Sequence, residues 1–402
     1  MALRRSTRVN WLIATGHFLA HFYVLCLPPL FIAWQTEFHA SFAALGLALA
    51  AMSATTALLQ TPVGFLVDRH GARPFLVGGV LLMSGGIAAM GFATAYWQIL
   101  ACAVLSGIGN SVIHPADYAI LSGSVEKERM GRAFALHTFA GNVGFSAAPP
   151  LMAVMILAFG WRASVTTVGL IGVAAAGLVL IQSRILLEQK RPPRRAAPAG
   201  AGRRLLLSRP LLLFFAFYML GSMAGSGVQA WLITVLHKVH HLGLADASGA
   251  LTGYTVGATL GVLAGGWISD ALSGALLRFT VLASVASAVI LVAVGGLALP
   301  ALAAIVGMFA AGVAIGCTRT PRDMMLREAV PASEMGKVFG FVSSGLPLGS
   351  ALTPVPFGFL IDRGHPEWIL ALAAGLLVLS LIAVAAARAA SRRAVPAALA
   401  AE

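Results

Sequence analysis

Apolar runs long enough to cross a lipid bilayer recur through the 402-residue chain, and this recurrence limits the fold more than any single motif does. A helix needs about 20 apolar residues to cross the hydrocarbon core. Twelve such runs are expected, at roughly residues 10–34, 41–66, 74–94, 97–122, 132–158, 163–186, 210–236, 246–269, 276–298, 300–322, 336–360 and 367–388, with ends uncertain by a few residues. Inside a membrane the backbone must satisfy its own hydrogen bonds, which leaves helices or a closed barrel, and a barrel would show short alternating segments instead. The expected class is an all-α integral membrane protein. Composition agrees: 59% of residues are hydrophobic and 10% charged, against about 25% charged in soluble domains.

The net charge of +13 could by itself suggest a nucleic-acid partner, so the placement of the charges decides. With the N-terminus cytoplasmic, 24 basic residues fall on inner segments, among them Arg4, Arg5, Arg8, Lys127, the 184–209 cluster and Lys337. The outer loops keep three: Arg162, Lys238 and Arg363. That asymmetry is the positive-inside bias of a membrane protein with both termini in the cytoplasm, and it excludes nucleic acid as the partner. The first apolar run follows three arginines without a small-residue cleavage site, so it reads as a retained first helix. Cys26, Cys102 and Cys317 each fall inside a span at no metal-ligand spacing and read as small apolar packing residues. Arginine outnumbers lysine 23 to 4, a composition that suggests a bacterial plasma (inner) membrane.

The longest polar interruption lies at 187–209, which divides the chain into an N-terminal six-helix bundle (1–186), a cytoplasmic linker and a C-terminal six-helix bundle (210–402). Internal repeats support two related halves. Met130-Gly131-Arg132-Ala133-Phe134 aligns with Met335-Gly336-Lys337-Val338-Phe339 at an offset of 205, which also carries Gly144 onto Gly349 and Pro149 onto Pro354. At 206, His114-Pro115-Ala116-Asp117 falls on Thr320-Pro321-Arg322-Asp323; at 202, Gly64 and Asp68 fall on Gly266 and Asp270. The string Gly64-Phe-Leu-Val-Asp68-Arg69 also returns as Gly358-Phe-Leu-Ile-Asp362-Arg363 on the other side of the membrane, as an inverted repeat within each half would produce.

Between the second and third runs stands Gly64-Phe-Leu-Val-Asp68-Arg69-His-Gly71-Ala-Arg73. It resembles the G-x3-D-R-x-G-x-R signature of the major facilitator superfamily. The resemblance implies that family's fold, and it implies a cytoplasmic gate in which Asp68 docks near the start of helix 11, with Arg69 and Arg73 as basic partners and Gly71 permitting the turn. The corresponding loop of the second half keeps Gly266 and Asp270 but lacks the arginine, implying a weaker gate. Gly107-Ile-Gly109-Asn110-Ser111-Val-Ile-His114-Pro115 and Gly141-Asn142-Val-Gly144-Phe-Ser146-Ala-Ala-Pro149 look like the fosmidomycin-resistance branch of that superfamily, which consists largely of efflux proteins. Gly141, Asn142, Gly144 and Pro149 are read as a helix-packing motif. Two features depart from the drug–proton antiporter pattern: Ala103 stands where an arginine is usual, and the G-P-x-x-G-G pattern is absent from helix 5.

Titratable groups inside membrane spans are costly, and each is a functional candidate. His17 and His21 share one face of helix 1 at i and i+4, and Asn110, His114 and Asp117 stack on one face of helix 4 at i, i+4 and i+7, with Pro115 loosening the backbone between them. All five are read as proton-coupling or substrate groups. His17 and His21 have the spacing of a metal pair but no visible third ligand, so no metal site is expected. Arg319 and Asp323, also read as proton-coupling or substrate groups, sit at i and i+4 on helix 10, where they can pair, or Arg319 can meet an anionic substrate. His137, Gln60 and Gln229 read as helix–helix hydrogen-bonding residues, and His237-Lys238-Val-His240-His241 as a solvated loop.

The expected function is proton-coupled efflux of a small organic, drug-like or toxic compound by alternating access; the alternative is uptake or exchange of an organic anion on Arg319. No enzymatic activity and no cofactor are expected: the sequence has no Walker-type phosphate loop and no nucleophile motif. The expected partners are the transported molecule, protons and the bilayer, with the chain acting as a monomer.

Overall fold

The computed structural model describes residues 2–126, 129–187, 206–272, 274–330 and 335–399, without the side chains of 2–4, 336–337 and 391–399. Most of the expected 187–209 linker, residues 188–205, lies outside the described residues, as does Lys127; of Lys337 only the backbone is described. The described residues contain helices and no strand. In chain order these are α1 (Ala2–Cys26), α2 (Phe31–Phe38), α3 (Phe42–His70), α4 (Ala72–Met90), α5 (Tyr96–Asn110), α6 (Ile113–Ser124), α7 (Met130–Gln182) and α8 (Arg209–His240). They continue with α9 (Leu244–Ala271), α10 (Leu276–Gly296), α11 (Ala301–Cys317), α12 (Arg319–Glu328), α13 (Met335–Ser343), α14 (Gly345–Leu352), α15 (Pro354–Asp362) and α16 (Trp368–Leu399).

These helices make up 11 stretches long and apolar enough to cross a membrane. One of them, Met130–Ile185, is too long for a single crossing, and α7 breaks within it at Gly160, whose φ of 77° and ψ of 162° are not helical. A residue with a side chain would be strained there, whereas glycine is not. Divided at Gly160, the described residues hold twelve membrane segments, the number that the apolar runs predict.

Several expected single helices are broken. Helix 4 is α5 plus α6, joined at Ser111 and Val112, and helix 10 is α11 plus α12, joined at Thr318. Pro115 and Pro321 each occupy the third position of the new helix, where a missing N–H breaks no intrahelical bond. The capping residues Val112 and Thr318 stand 206 apart, the offset at which the sequence repeat places the two prolines in register. A second pair of coincident breaks lies at His39 and His241, 202 apart, the two non-glycine residues with positive φ among the described residues (49° and 55°). Helix 11 is divided into α13, α14 and α15, with Pro354 opening the last.

Contacts divide the chain into two compact units, Met1–Arg194 with Gly243–Thr252, and Arg195–Leu242 with Gly253–Glu402. In the first, α1 and α4 pack on α7 through glycines: a Cβ on Gly144 would run into the Phe18 carbonyl oxygen, and one on Gly169 into the backbone of Ala88. Tyr23 Oη lies 3.1 Å from both Ser84 Oγ and Val168 O, linking α1, α4 and α7. At one end of this unit Glu37 accepts from Trp161 Nε1 (2.6 Å) and pairs with Arg162, whose Nη1 donates to Gly91 O (3.0 Å) and Ala93 O (2.7 Å). In the second unit, α9 presents Gly253, Gly257, Gly261 and Gly265 at four-residue spacing to the α11 backbone, and Gly312 and Gly316 of α11 face Tyr254 and Ala258 in return. Lipid offers no hydrophobic drive between helices, so such close backbone approach is how they gain packing energy.

Candidate functional site: a buried histidine–aspartate cluster

α1, α6 and α7 meet in the first unit and bring four histidines and one aspartate together. α1 contributes His17 and His21, one turn apart; α6 contributes His114 and Asp117 from its first two turns; α7 contributes His137. Pro115 stands between His114 and Asp117 in the first turn of α6. Gly141, one turn beyond His137, lets α1 come close: a Cβ there would lie 2.5 Å from His17 Nε2 and 3.0 Å from His21 Cδ2.

Asp117 is the centre of the cluster. It is fully buried (0% exposed), and its Oδ2 lies 2.9 Å from His137 Nε2 and 3.8 Å from His17 Nδ1. With Nε2 protonated, His137 donates and the carboxylate accepts. The rings of His17 and His137 are 3.6 Å apart between centroids, His17 and His21 4.5 Å, and His17 and His114 5.1 Å. Tyr118 adds its ring at 5.6 Å from His137, and Phe145 closes the side beside His21 at 4.3 Å. His17 Nδ1, His114 Nδ1 and Asp117 Oδ1 are buried with no hydrogen-bond partner. A buried ionised carboxylate costs several kcal/mol unless it is paired, and one neutral imidazole donor supplies only part of that compensation.

Of the polar residues picked out in the sequence, His17, His21, His114 and Asp117 converge here. Asn110 ends α5, half-buried, and no hydrogen bond or ring contact joins it to the cluster among the described residues. His137, read from sequence only as a helix–helix hydrogen-bonding residue, is one, and its partner is Asp117. No spacing pattern could have shown this, because the bond joins residues 20 positions apart on different helices.

The expected Arg319–Asp323 pair does not form. Asp323 instead pairs with its neighbour Arg322 (2.9 Å) and accepts from Tyr218 Oη (2.7 Å), while the Arg322 guanidinium stacks on the Tyr218 ring at 4.2 Å. The aromatic face supplied by α8 draws Arg322 into the position that helical spacing would give Arg319. Arg319 is exposed and makes no salt bridge among the described residues.

In the loop motif, α3 ends at Gly71, whose φ of 95° marks the turn and whose N–H bonds Val67 O (2.8 Å). Asp68 and Arg69 are exposed on the last turn of α3, Gly64 is one turn earlier, and Arg73 is in the first turn of α4. Asp270 is exposed at the end of α9. In the helix-packing motif, Gly141 and Gly144 face α1, Pro149 is buried within α7, and Asn142 is half-buried.

Long apolar segments with broken helices and a titratable cluster buried among them define a polytopic membrane protein. The family model for the Major Facilitator Superfamily matches residues 13–322 and 240–401. The chain belongs to that superfamily.

Among curated relatives, the chain is 26% identical over 290 residues to a probable L-galactonate transporter of Escherichia coli K12; the match spans 67% of this chain and 64% of that protein. It is 25% identical over 401 residues to multidrug resistance protein MdtH of Aeromonas hydrophila, covering 94% of this chain and 96% of the relative. Identity to the fosmidomycin resistance protein of E. coli K12 is 27% over 157 residues, 39% of this chain and 38% of that one. Among solved structures, a bacterial homologue of the human lysosomal transporter Spinster superposes with a TM-score of 0.78 at 15% identity over 97% of both chains, a likeness of fold.

Proposed function

We propose that this transporter exports small organic, drug-like compounds across the bacterial inner membrane in exchange for protons, by alternating access, with both termini in the cytoplasm. The observation that carries the coupling reading is Asp117: a fully buried carboxylate on α6, bonded to one histidine of α7 and 3.8 Å from one of α1. The titratable groups around it are His17 and His21 from α1, His114 and Tyr118 from α6 and His137 from α7. A proton arriving here offsets the buried negative charge, and its departure restores it. Because three helices contribute, the charge state biases how those helices pack. The export direction is supported by the similarity to MdtH and to the fosmidomycin resistance protein. The Gly64–Arg73 turn, with Asp68, Arg69, Gly71 and Arg73, is proposed as the main cytoplasmic gate and Asp270 as its weaker counterpart.

The test is transport in proteoliposomes under an imposed pH gradient, using candidate toxic compounds. Movement of compound against its gradient as protons flow the other way is expected. Asp117→Asn should abolish this uphill transport while leaving substrate exchange at equal pH. Full gradient-driven transport by Asp117→Asn would overturn the coupling assignment.

A second reading, uptake or exchange of an organic anion, is favoured by one observation: Arg319 is exposed and Asp323 neutralises Arg322 instead. The similarity to a probable L-galactonate transporter agrees with it. On this reading Arg319→Gln abolishes transport of carboxylate compounds; on the first it leaves export of neutral and cationic compounds intact.

A further inference from the structure

We propose that His17, His21 and His114 form a binding site for one divalent transition-metal ion of the zinc, copper or nickel class, seated beside the Asp117–His137 pair. One ligand nitrogen from each of these three residues lies within 4.8 Å of the others, and a nitrogen of His17, a carboxylate oxygen of Asp117 and a nitrogen of His137 form a second such group sharing His17. Around a tetrahedral ion with bonds of about 2.0–2.1 Å, ligand atoms stand about 3.3–3.5 Å apart, so modest ring rotations close the set. Imidazole donors in an apolar cage suit these ions and not calcium or magnesium, which require oxygen.

Two further observations point to a ligand. Nδ1 of His17, on a residue 4% exposed, is buried without a hydrogen-bond partner, and so is Nδ1 of His114. A buried polar atom without a partner is unfavourable, and shared coordination to a cation would satisfy both. Asp117, whose Oδ2 lies 3.8 Å from His17 Nδ1 and whose Oδ1 is unpartnered, stands close enough to offset the charge of the metal. Gly141 completes the arrangement, because any side chain there would push the His17 and His21 rings off α7. The inference does not depend on the coupling reading: coordination uses nitrogen lone pairs and requires no proton transfer.

The experiment uses the full chain, freed of any affinity tag, purified in detergent and stripped with a chelator. Co²⁺ titration followed by visible d–d absorption, with Zn²⁺ competition by calorimetry, should give one equivalent in a tetrahedral-type site. His21→Asn and His114→Asn should each weaken binding about tenfold or more, while a combined His237→Asn, His240→Asn, His241→Asn variant at the end of α8 should bind as the parent does. No binding by the parent, binding unchanged in both cluster variants, or binding lost in the α8-end variant would each overturn the proposal. X-ray absorption on the Zn²⁺-loaded parent needs no variant to fold: a shell with about three imidazoles is expected, and one of oxygen alone refutes the site. The coupling reading stands or falls on uphill transport by Asp117→Asn, and the metal site on stoichiometry and the absorption shell, so the two proposals fail separately.

Discussion

At the scale of single residues, the Asp117–His137 bond carries an energetic consequence that differs from that of a surface ion pair. Removing the donor leaves a buried carboxyl group without its hydrogen bond, which costs about 1–3 kcal/mol and more where the group is charged. His137→Ala should therefore lower the apparent melting temperature of the detergent-solubilised protein substantially, and adding Asp117→Asn to it should recover most of the loss. A double variant no more stable than His137→Ala would mean that Asp117 carries no charge demand in the folded protein. Four of the five residues of this site could be read from the chain. His17 with His21 and His114 with Asp117 announce themselves by one-turn spacings in apolar surroundings, whereas His137 has no titratable residue one turn away on its own helix and gains its meaning from a tertiary contact. The Arg319–Asp323 expectation failed for the same reason in reverse: helical spacing permits that pair, but the Tyr218 ring and hydroxyl, delivered by α8, select Arg322.

At the scale of helices, glycine positions separate those that let backbones touch from those that merely lie within a span. A methyl at Gly144 would collide with the Phe18 carbonyl of α1, and backbone cannot yield as a flexible side chain would, whereas nothing lies within 4 Å of a methyl at Gly85 on α4. Gly144→Ala should lower thermal stability by an overpacking cost of about 1–3 kcal/mol and disturb the cluster by pushing α1 away from α7. Gly85→Ala should be neutral or stabilising by up to about 1 kcal/mol, since alanine is the better helix former. Equal melting temperatures for the two variants would show that the α1–α7 approach is not limiting. Apolar length made the existence of the helices readable, and Pro115 marked the division of helix 4. The break at Thr318 was readable only through the repeat, and that at Gly160 was not, because a glycine in an apolar run looks the same whether its φ is negative or, as here, 77°.

At the scale of the whole molecule, twelve crossings and 24 inner basic residues against 3 outer ones make a directional claim about which surface faces the cytoplasm. The positive-inside bias acts through short loops near the membrane, and here nearly every inner loop contributes, so no single segment is asked to set the topology. His70, at the end of α3, follows the second crossing and should face inward; His365, between α15 and α16, follows the eleventh and should face outward. Both are exposed, so either position should tolerate cysteine, and the native Cys26 and Cys317 are buried, with Cys102 half-buried, which keeps the background reaction low. In intact cells a membrane-impermeant maleimide should label His365→Cys and leave His70→Cys untouched until the membrane is permeabilised. Labelling of both from one side would require an even number of crossings between them and would remove the division of α7 at Gly160 or another of the spans. The reverse pattern would keep the count and invert the protein, putting the Gly64–Arg73 turn outside and ending its reading as a cytoplasmic gate.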